Sequence, residues 1–350
     1  MKALCWLFFL FACSLRACAG FRAALVRGQR RTVAAATSIS ADTLSGIEVK
    51  GVDGESIPLQ DLLKGKRTVL ACLTHFGDFN AWELMQNLQQ DVDLLTADDT
   101  QVICIGVGSP AAAKKFATDL ELDARLPLYA DETASAAGAL GCYRGWLAAD
   151  EEHRARWPQG DVNSYVKLFG MIFGLGSPGT IGKVLYGYAG NSGAGPATRS
   201  WVVKALLQGS KKGRFPTLTE EAFAKTPPES GLRPFELATL RLQTGLHIVL
   251  NWGTLGPKNG DMFTRMGGVF VLVDGQPTYQ HYDLGILTYA PRDELLAALA
   301  PSIPAPSASA PTAPAPVTPA PATPSAPAAP SAPAITPAQD LSVGTAYSAN

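Results

Sequence analysis

The sequence has little cysteine: six in 350 residues, of which Cys5, Cys13 and Cys18 fall in an N-terminal segment that reads as a leader. The remaining Cys72, Cys104 and Cys142 are odd in number, which argues against a disulfide framework and fits a reducing compartment. His75, His153, His247 and His281 show no metal-ligand spacing with one another or with the cysteines, so no metal is expected. A G-x-S-x-G nucleophile elbow is missing, and no motif supports nucleic-acid binding. GLGSPG (174–179) matches G-x-G-x-x-G formally, but it contains a proline, follows a helix-like run, and lies in a stretch without acid from Val162 to Thr219. The acidic ribose partner of a dinucleotide site is therefore missing, no cofactor is expected, and the glycines read as a tight turn between helices.

Both ends differ in composition from packed protein. Residues 4–14, LCWLFFLFACS, follow Lys2 and precede Ala17-Cys18-Ala19, a signal-peptide pattern over residues 1–19 too short to span a bilayer comfortably. Residues 20–40 carry Arg22, Arg27, Arg30 and Arg31, with no acid before Asp42, which is transit-peptide composition. A signal peptide followed by a transit peptide opening near an aromatic, here Phe21, resembles the bipartite leader of algae with secondary plastids. A plastid reached through the secretory pathway is the expected location, with secretion as the alternative. Half of the 26 prolines lie between Pro301 and Pro337, and the 301–350 segment reads as an extended, disordered Pro/Ala-rich tail. The folded part is expected at about 41–300.

Within it, IEVKGVDGESIPLQDL (47–62) reads as a hairpin turning at Asp53-Gly54. RTVLACLT (67–74), VICIGVG (102–108) and LPLYAD (126–131) are buried-strand patterns, each followed by a helical one. Asn80 and Glu83 have capping-box spacing ahead of Trp82, Met85, Leu88 and Val92 at helical intervals. GGVFVLVDGQ, PTYQHYDL and PRDELLAALA add strand, strand and helix at the end. That order is α/β with a thioredoxin-like arrangement, interrupted by a mostly helical insertion at about 143–265. In the acid-free stretch Lys167, Lys183, Arg199, Lys204, Lys211, Lys212 and Arg214 are all positive and aromatics are frequent. Such a run is expected to belong to an ordinary insertion packed on the sheet, its cations neutralised by acids elsewhere, with a surface for an anionic membrane or an acidic ligand as the alternative.

VLACLTHFGDFNAWELMQNL, PLYADETASAAGALG and RMGGVFVLVDGQ resemble a peroxiredoxin of the AhpC/TSA superfamily. FGLGSPGTIGKVLYGYAG and LRPFELATLRLQTGLHIVLNW resemble its peroxiredoxin-like branch of cyanobacteria and plastids, related to selenoprotein U and the prostamide synthases. The similarity spans 45–300 and implies a peroxiredoxin-like thioredoxin fold, antioxidant thiol chemistry, and thioredoxin or another stromal redox protein as partner. In redox-active relatives the strand-to-helix turn carries G-C-x-x-C-x-E. Laid through Gly77 and Glu83, its two cysteine positions are Asp78 and Ala81.

A thiol at a helix N-terminus is acidified by the free N–H groups there, which is why relatives keep their nucleophile in that turn. Asp78 is expected instead as a helix-terminus anion, with a His75–Asp78 acid/base or ligand-contacting pair as the alternative. The resemblance also implies an arginine in R-G-x-F, where Gly267-Gly268-Val269-Phe270 has glycine; Arg265 substitutes only if the turn bends. Cys72 and Cys104 read as buried apolar side chains. Cys142, followed by Arg144, is expected to be partly exposed, its thiolate helped by that cation and opposed by the helix C-terminus. Two classes remain: a non-peroxidatic binding or regulatory protein of redox homeostasis, and a thiol oxidoreductase using a relocated cysteine such as Cys142.

Overall fold

A computed structural model of the chain describes residues 41–300 except 66, 148–161, 194 and 228–229. The leader and tail readings, and His153, lie outside the described residues.

Seven strands form one sheet: β1 Glu48–Lys50, β2 Ser56–Pro58, β3 Arg67–His75, β4 Thr100–Val107, β5 Leu128–Asp131, β6 Gly268–Val273 and β7 Gln276–Tyr282, in the spatial order β2-β1-β5-β4-β3-β6-β7. β3 is central, parallel to β4 and antiparallel to β6. Its near-continuous apolar run is what a strand covered on both faces requires. Alternation along β3 sorts the side chains. Val69, Ala71 and Leu73 face one layer with Cys104, while Leu70 and Cys72 face the other with Ile103, Phe270 and Cys142.

The first layer is closed by α1 (Phe79–Gln90), α2 (Pro110–Leu120) and the C-terminal helix (Arg292–Leu299). Trp82, Met85 and Leu88 are buried as their spacing predicts, but the helix ends at Asp91, so Val92 begins a separate turn. The expected Asn80/Glu83 capping box does not form. Asp78 is the cap residue, and Asn80 and Glu83 are spent on other partners. α2 opens with Ser109 accepting from the Ala112 N–H and with Pro110 in its first turn. The second layer is covered by α3 (Ser135–Ala139) and the β1–β2 hairpin.

The insertion contributes α4 (Ser164–Ile172), α5 (Thr180–Ala189), α6 (Pro196–Lys211) and α7 (Glu236–Leu250), and has its own core around Trp201, Leu206, Leu237 and Leu240. GLGSPG is the α4–α5 turn, where Gly174, Gly176 and Gly179 all take positive φ. Part of the basic run is buried or paired. Arg199 is buried against Glu236, Lys212 pairs with Glu121 at 3.2 Å, and the Arg214 guanidinium lies 5.0 Å from the centroid of Trp82. Burial also claims Lys167. Lys183, Lys204, Lys211 and Lys212 remain exposed.

The insertion docks on α1 through a buried ion pair. Arg241 of α7 gives Nε and Nη2 to the two Glu83 oxygens at 2.6 and 3.0 Å, and Tyr289 Oη donates to the same carboxylate at 3.0 Å. Glu83 is almost fully buried. Removing the cation would leave that carboxylate uncompensated, a loss of about 3 to 5 kcal/mol. Arg241→Ala is accordingly expected to lower the urea unfolding free energy by that amount, and a loss under about 1 kcal/mol, the range of an exposed pair, would contradict this account of the docking.

Candidate functional site

β3 ends at His75, and the chain turns through Phe76 and Gly77 into α1. The Asp78 N–H donates to His75 O at 2.9 Å and closes the turn, while Asp78 Oδ1 accepts from the Asn80 N–H at 3.2 Å. Phe76 lies flat over β4, where a Cβ on Gly106 would come within 2.3 Å of its ring; this is why glycine stands there. Trp82 Nε1 donates back to Phe76 O at 2.8 Å and fixes the turn to the first helical turn of α1.

Asp78 is only 6% exposed, so burial raises its carboxyl pKa, against the lowering influence of the adjacent His75. Burial lowers the His75 pKa, with Asp78 opposing. The two groups of the expected pair are thus brought together in a dry site. Among the described residues neither ring nitrogen of His75 nor Thr74 Oγ1 has a partner in good hydrogen-bond geometry, although the Phe263 backbone lies close enough to raise the His75 pKa and Thr74 close enough to lower that of Asp78. Asn80 extends the polar cluster. Its amide nitrogen donates to Asp283 Oδ2 at 3.2 Å and to Gly285 O at 3.3 Å, and its oxygen accepts from the Leu287 N–H. Burial pushes Asp283 up to about 8, with Asn80 opposing and the charge of Asp78 adding to the rise. His281 Nε2 lies 2.9 Å from Thr288 O and 3.5 Å from Asp283 Oδ1.

The insertion covers the turn. Trp252, in the short helix Trp252–Leu255 after α7, meets His75 edge-on at 5.7 Å, and Phe263 lies 6.2 Å from the same ring. Trp252 and Phe263 pack at 5.4 Å, and Tyr165 of α4 closes on Phe263 at 4.9 Å. A Cβ on Gly77 would touch Trp252 at 3.0 Å and one on Gly256 at 2.7 Å, so the indole is wedged between two backbones. Trp252 thus packs on the turn beside Asp78.

The arginine and second-cysteine positions that the resemblance implies are both tightly enclosed. A Cβ on Gly267 would lie 2.1 Å from Cys72 O, so no side chain, arginine included, fits that position while β6 pairs with β3. Arg265 lies within electrostatic reach of Cys142, Arg144 and Asp131; burial and Arg144 lower its pKa. Ala81, the second cysteine position, is fully buried in the first core layer.

The thiols are withdrawn from solvent as well. Cys142 follows α3, its N–H bonded to Ala137 O at 2.9 Å, and its expected partial exposure is corrected to 3% because it packs with Leu140 and Cys72 under the sheet. Burial pushes its thiol to about 12; Asp283 adds to that rise and Arg265 opposes it. Arg144, the cation expected beside it, is exposed. Cys104 is also raised to about 12 by burial, and Cys72 is raised, chiefly by burial. Cys72 and Cys104 sit on opposite faces of the sheet, so no disulfide joins them without rebuilding it. Trp252, Phe263 and Asp283 escaped the sequence reading. Trp252 had only its place at the end of a recognisable helix, and Asp283 is a lone acid after a strand, with no spacing that marks it.

A β-α-β frame with an antiparallel closing pair and a helix-initiating turn at the end of the central strand defines a thioredoxin-like fold of the peroxiredoxin-like kind. Residues 87–285, more than half of the chain, match the family model described as AhpC/TSA antioxidant enzyme, and the chain belongs to that family. The match starts beyond the turn at Asp78. A search of curated proteins returned no match. Among solved structures, peroxidoxin BcpB from Mycobacterium tuberculosis is 20% identical at a TM-score of 0.28, covering 32% of this chain and 71% of that one. The bacterioferritin comigratory protein of Xanthomonas campestris, which has alkyl peroxide reduction activity, is 12% identical at a TM-score of 0.25, covering 30% of this chain and 65% of that one. A putative protein disulfide isomerase from Bacteroides thetaiotaomicron is 22% identical at 0.21, covering 24% and 53%. These likenesses are distant.

A carboxyl whose folded pKa is about 8 binds a proton more tightly folded than unfolded. Its stabilising contribution is complete below the unfolded pKa near 4 and is lost as pH rises through about 8. Asp283→Asn is expected to flatten the decline of unfolding free energy between about pH 4 and pH 8, by up to about 1.4 kcal/mol per pH unit. An unchanged slope in urea titrations would show that Asp283 is ionised in the fold.

Proposed function

We propose that this AhpC/TSA family member is a non-peroxidatic binding or regulatory protein of redox homeostasis, and that it does not reduce peroxide by the thiolate chemistry implied for its relatives. The observation that carries the proposal is the turn itself. Asp78 occupies the helix N-terminus where a thiolate would be stabilised, and a carboxylate has no soft electron pair for peroxide oxygen. Supporting it are Trp252 wedged over the turn and three buried thiols with raised pKa values. At a pKa of about 12 the thiolate fraction at neutral pH is on the order of one in 10⁵. The partner is then thioredoxin or another stromal redox protein, and the compartment is the plastid on the leader composition alone.

One observation favours the second reading, a relocated thiol: Cys142 and Cys72 share a layer, with the Arg265 charge close to Cys142. Peroxide consumption by the purified full chain, with a thioredoxin recycling system as reductant, separates the two. The expected result is no consumption above the reductant alone, for native and Cys142→Ser protein equally. Turnover by the native chain that disappears in Cys142→Ser would replace the binding role with a thiol-dependent oxidoreductase.

A further inference from the structure

The α4–α5 hairpin turns apolar stripes outward. On α4 and its C-cap, Tyr165, Phe169 and Phe173 recur at intervals of four residues, and on α5 Ile181, Leu185 and Tyr188 recur at four and three. These are the intervals of a single helix face, and each of the six is a large side chain left substantially exposed, Tyr165 at 48% and Leu185 at 49%. The opposite face is apolar too: Met171 is buried with Met266, Ile286 and Leu287, and Trp146 packs so closely that a Cβ on Gly170 would come within 2.1 Å of it. A helix apolar all round belongs in a core or against lipid, and a soluble monomer seldom leaves such a patch uncovered.

We infer that this hairpin is a docking element that lies in the interface of an anionic lipid bilayer. At 9 and 10 residues its helices are too short to cross one, and among the described residues no helix is long and apolar enough to do so. Tyrosine and phenylalanine beside aliphatic residues suit the headgroup boundary, where an amphipathic ring keeps its polar edge wet. Charge selects the occupant. The hairpin from Ser164 to Ala189 contains no acid, and its Lys183 is exposed. A two-fold contact with a second copy would lay the acid-free hairpin on itself, with no counter-charge of its own for Lys183. Anionic headgroups supply that counter-charge.

The test is flotation of the full chain with vesicles of phosphatidylcholine alone and of equal parts phosphatidylcholine and phosphatidylglycerol. Native protein is expected to float with the anionic vesicles, less so in high salt. The surface pair Phe169→Glu/Leu185→Glu is expected to weaken that binding about tenfold or more, Lys183→Glu to weaken it on anionic vesicles only, and Leu94→Glu, at a 55% exposed site on another element, to leave it unchanged. Comparing variants of one full chain separates the hairpin from the apolar leader, and near-UV circular dichroism checks that each variant keeps its packing. The inference is overturned if native protein does not float, or if the Phe169/Leu185 variant floats as the native chain does. It is overturned equally if light scattering finds a native dimer that this variant reduces to monomer, since a second copy would then be the occupant.

Discussion

The N-terminus of α1 ends inside the protein, and its free N–H groups have to be met there without help from bulk water. Asp78 meets one of them with a carboxylate, and the rest of the site follows from that choice. A buried carboxylate with no close arginine or lysine is costly to ionise, so its pKa rises and its nearest help is a histidine that is itself driven toward neutrality. Asn80 then acts as the link between Asp78 and Asp283, joining the start of α1 to the strand end that carries the second carboxyl. A thiolate-bearing turn would need an open approach for its substrate. Here an indole is packed against the glycine backbone of the turn.

Closure of the site and docking of the insertion are one event. Arg241 and Trp252 belong to adjoining helical segments, and the first is clamped to Glu83 one turn beyond the residues that the second helps to cover. Wedging Trp252 between Gly77 and Gly256 requires α7 to sit where the Glu83 pair holds it. His247 reinforces the same seat, with its Nε2 2.7 Å from Asp119 Oδ2 of α2 and its ring against Trp82. The insertion is thus the roof of the turn, and its outer surface, the α4–α5 hairpin, faces away from the sheet with unspent apolar area.

Much of the frame is legible in the residues. A strand buried on both faces writes itself as a continuous apolar run, as in 67–74, and the turn glycines of 174–179 mark the break between two helices because L-residues resist the conformation. The pattern could not say which of three neighbouring polar residues caps α1. Asn80 has the right spacing to Glu83, yet tertiary partners claim both, and Asp78 is left with the N–H. Nor could it say that Cys142 is covered, since the covering comes from Leu140 and from Cys72 on a strand seventy positions away. Nor could it name the groups that neutralise or cover the basic run. Arg199 and Arg214 look like surface charges in sequence, and become interior only when Glu236 and Trp82 are brought beside them.

The central claim is that this fold keeps the seat of thiol chemistry while withdrawing every core thiol from it. Timed iodoacetamide labelling of the full chain, read by mass spectrometry for the peptides carrying Cys72, Cys104 and Cys142, measures that withdrawal directly. Native protein is expected to leave all three unlabelled over the time in which they are fully modified in urea, as buried thiols with raised pKa values require. Rapid labelling of Cys142 in the native state, at a rate near that of the unfolded chain, would contradict the account.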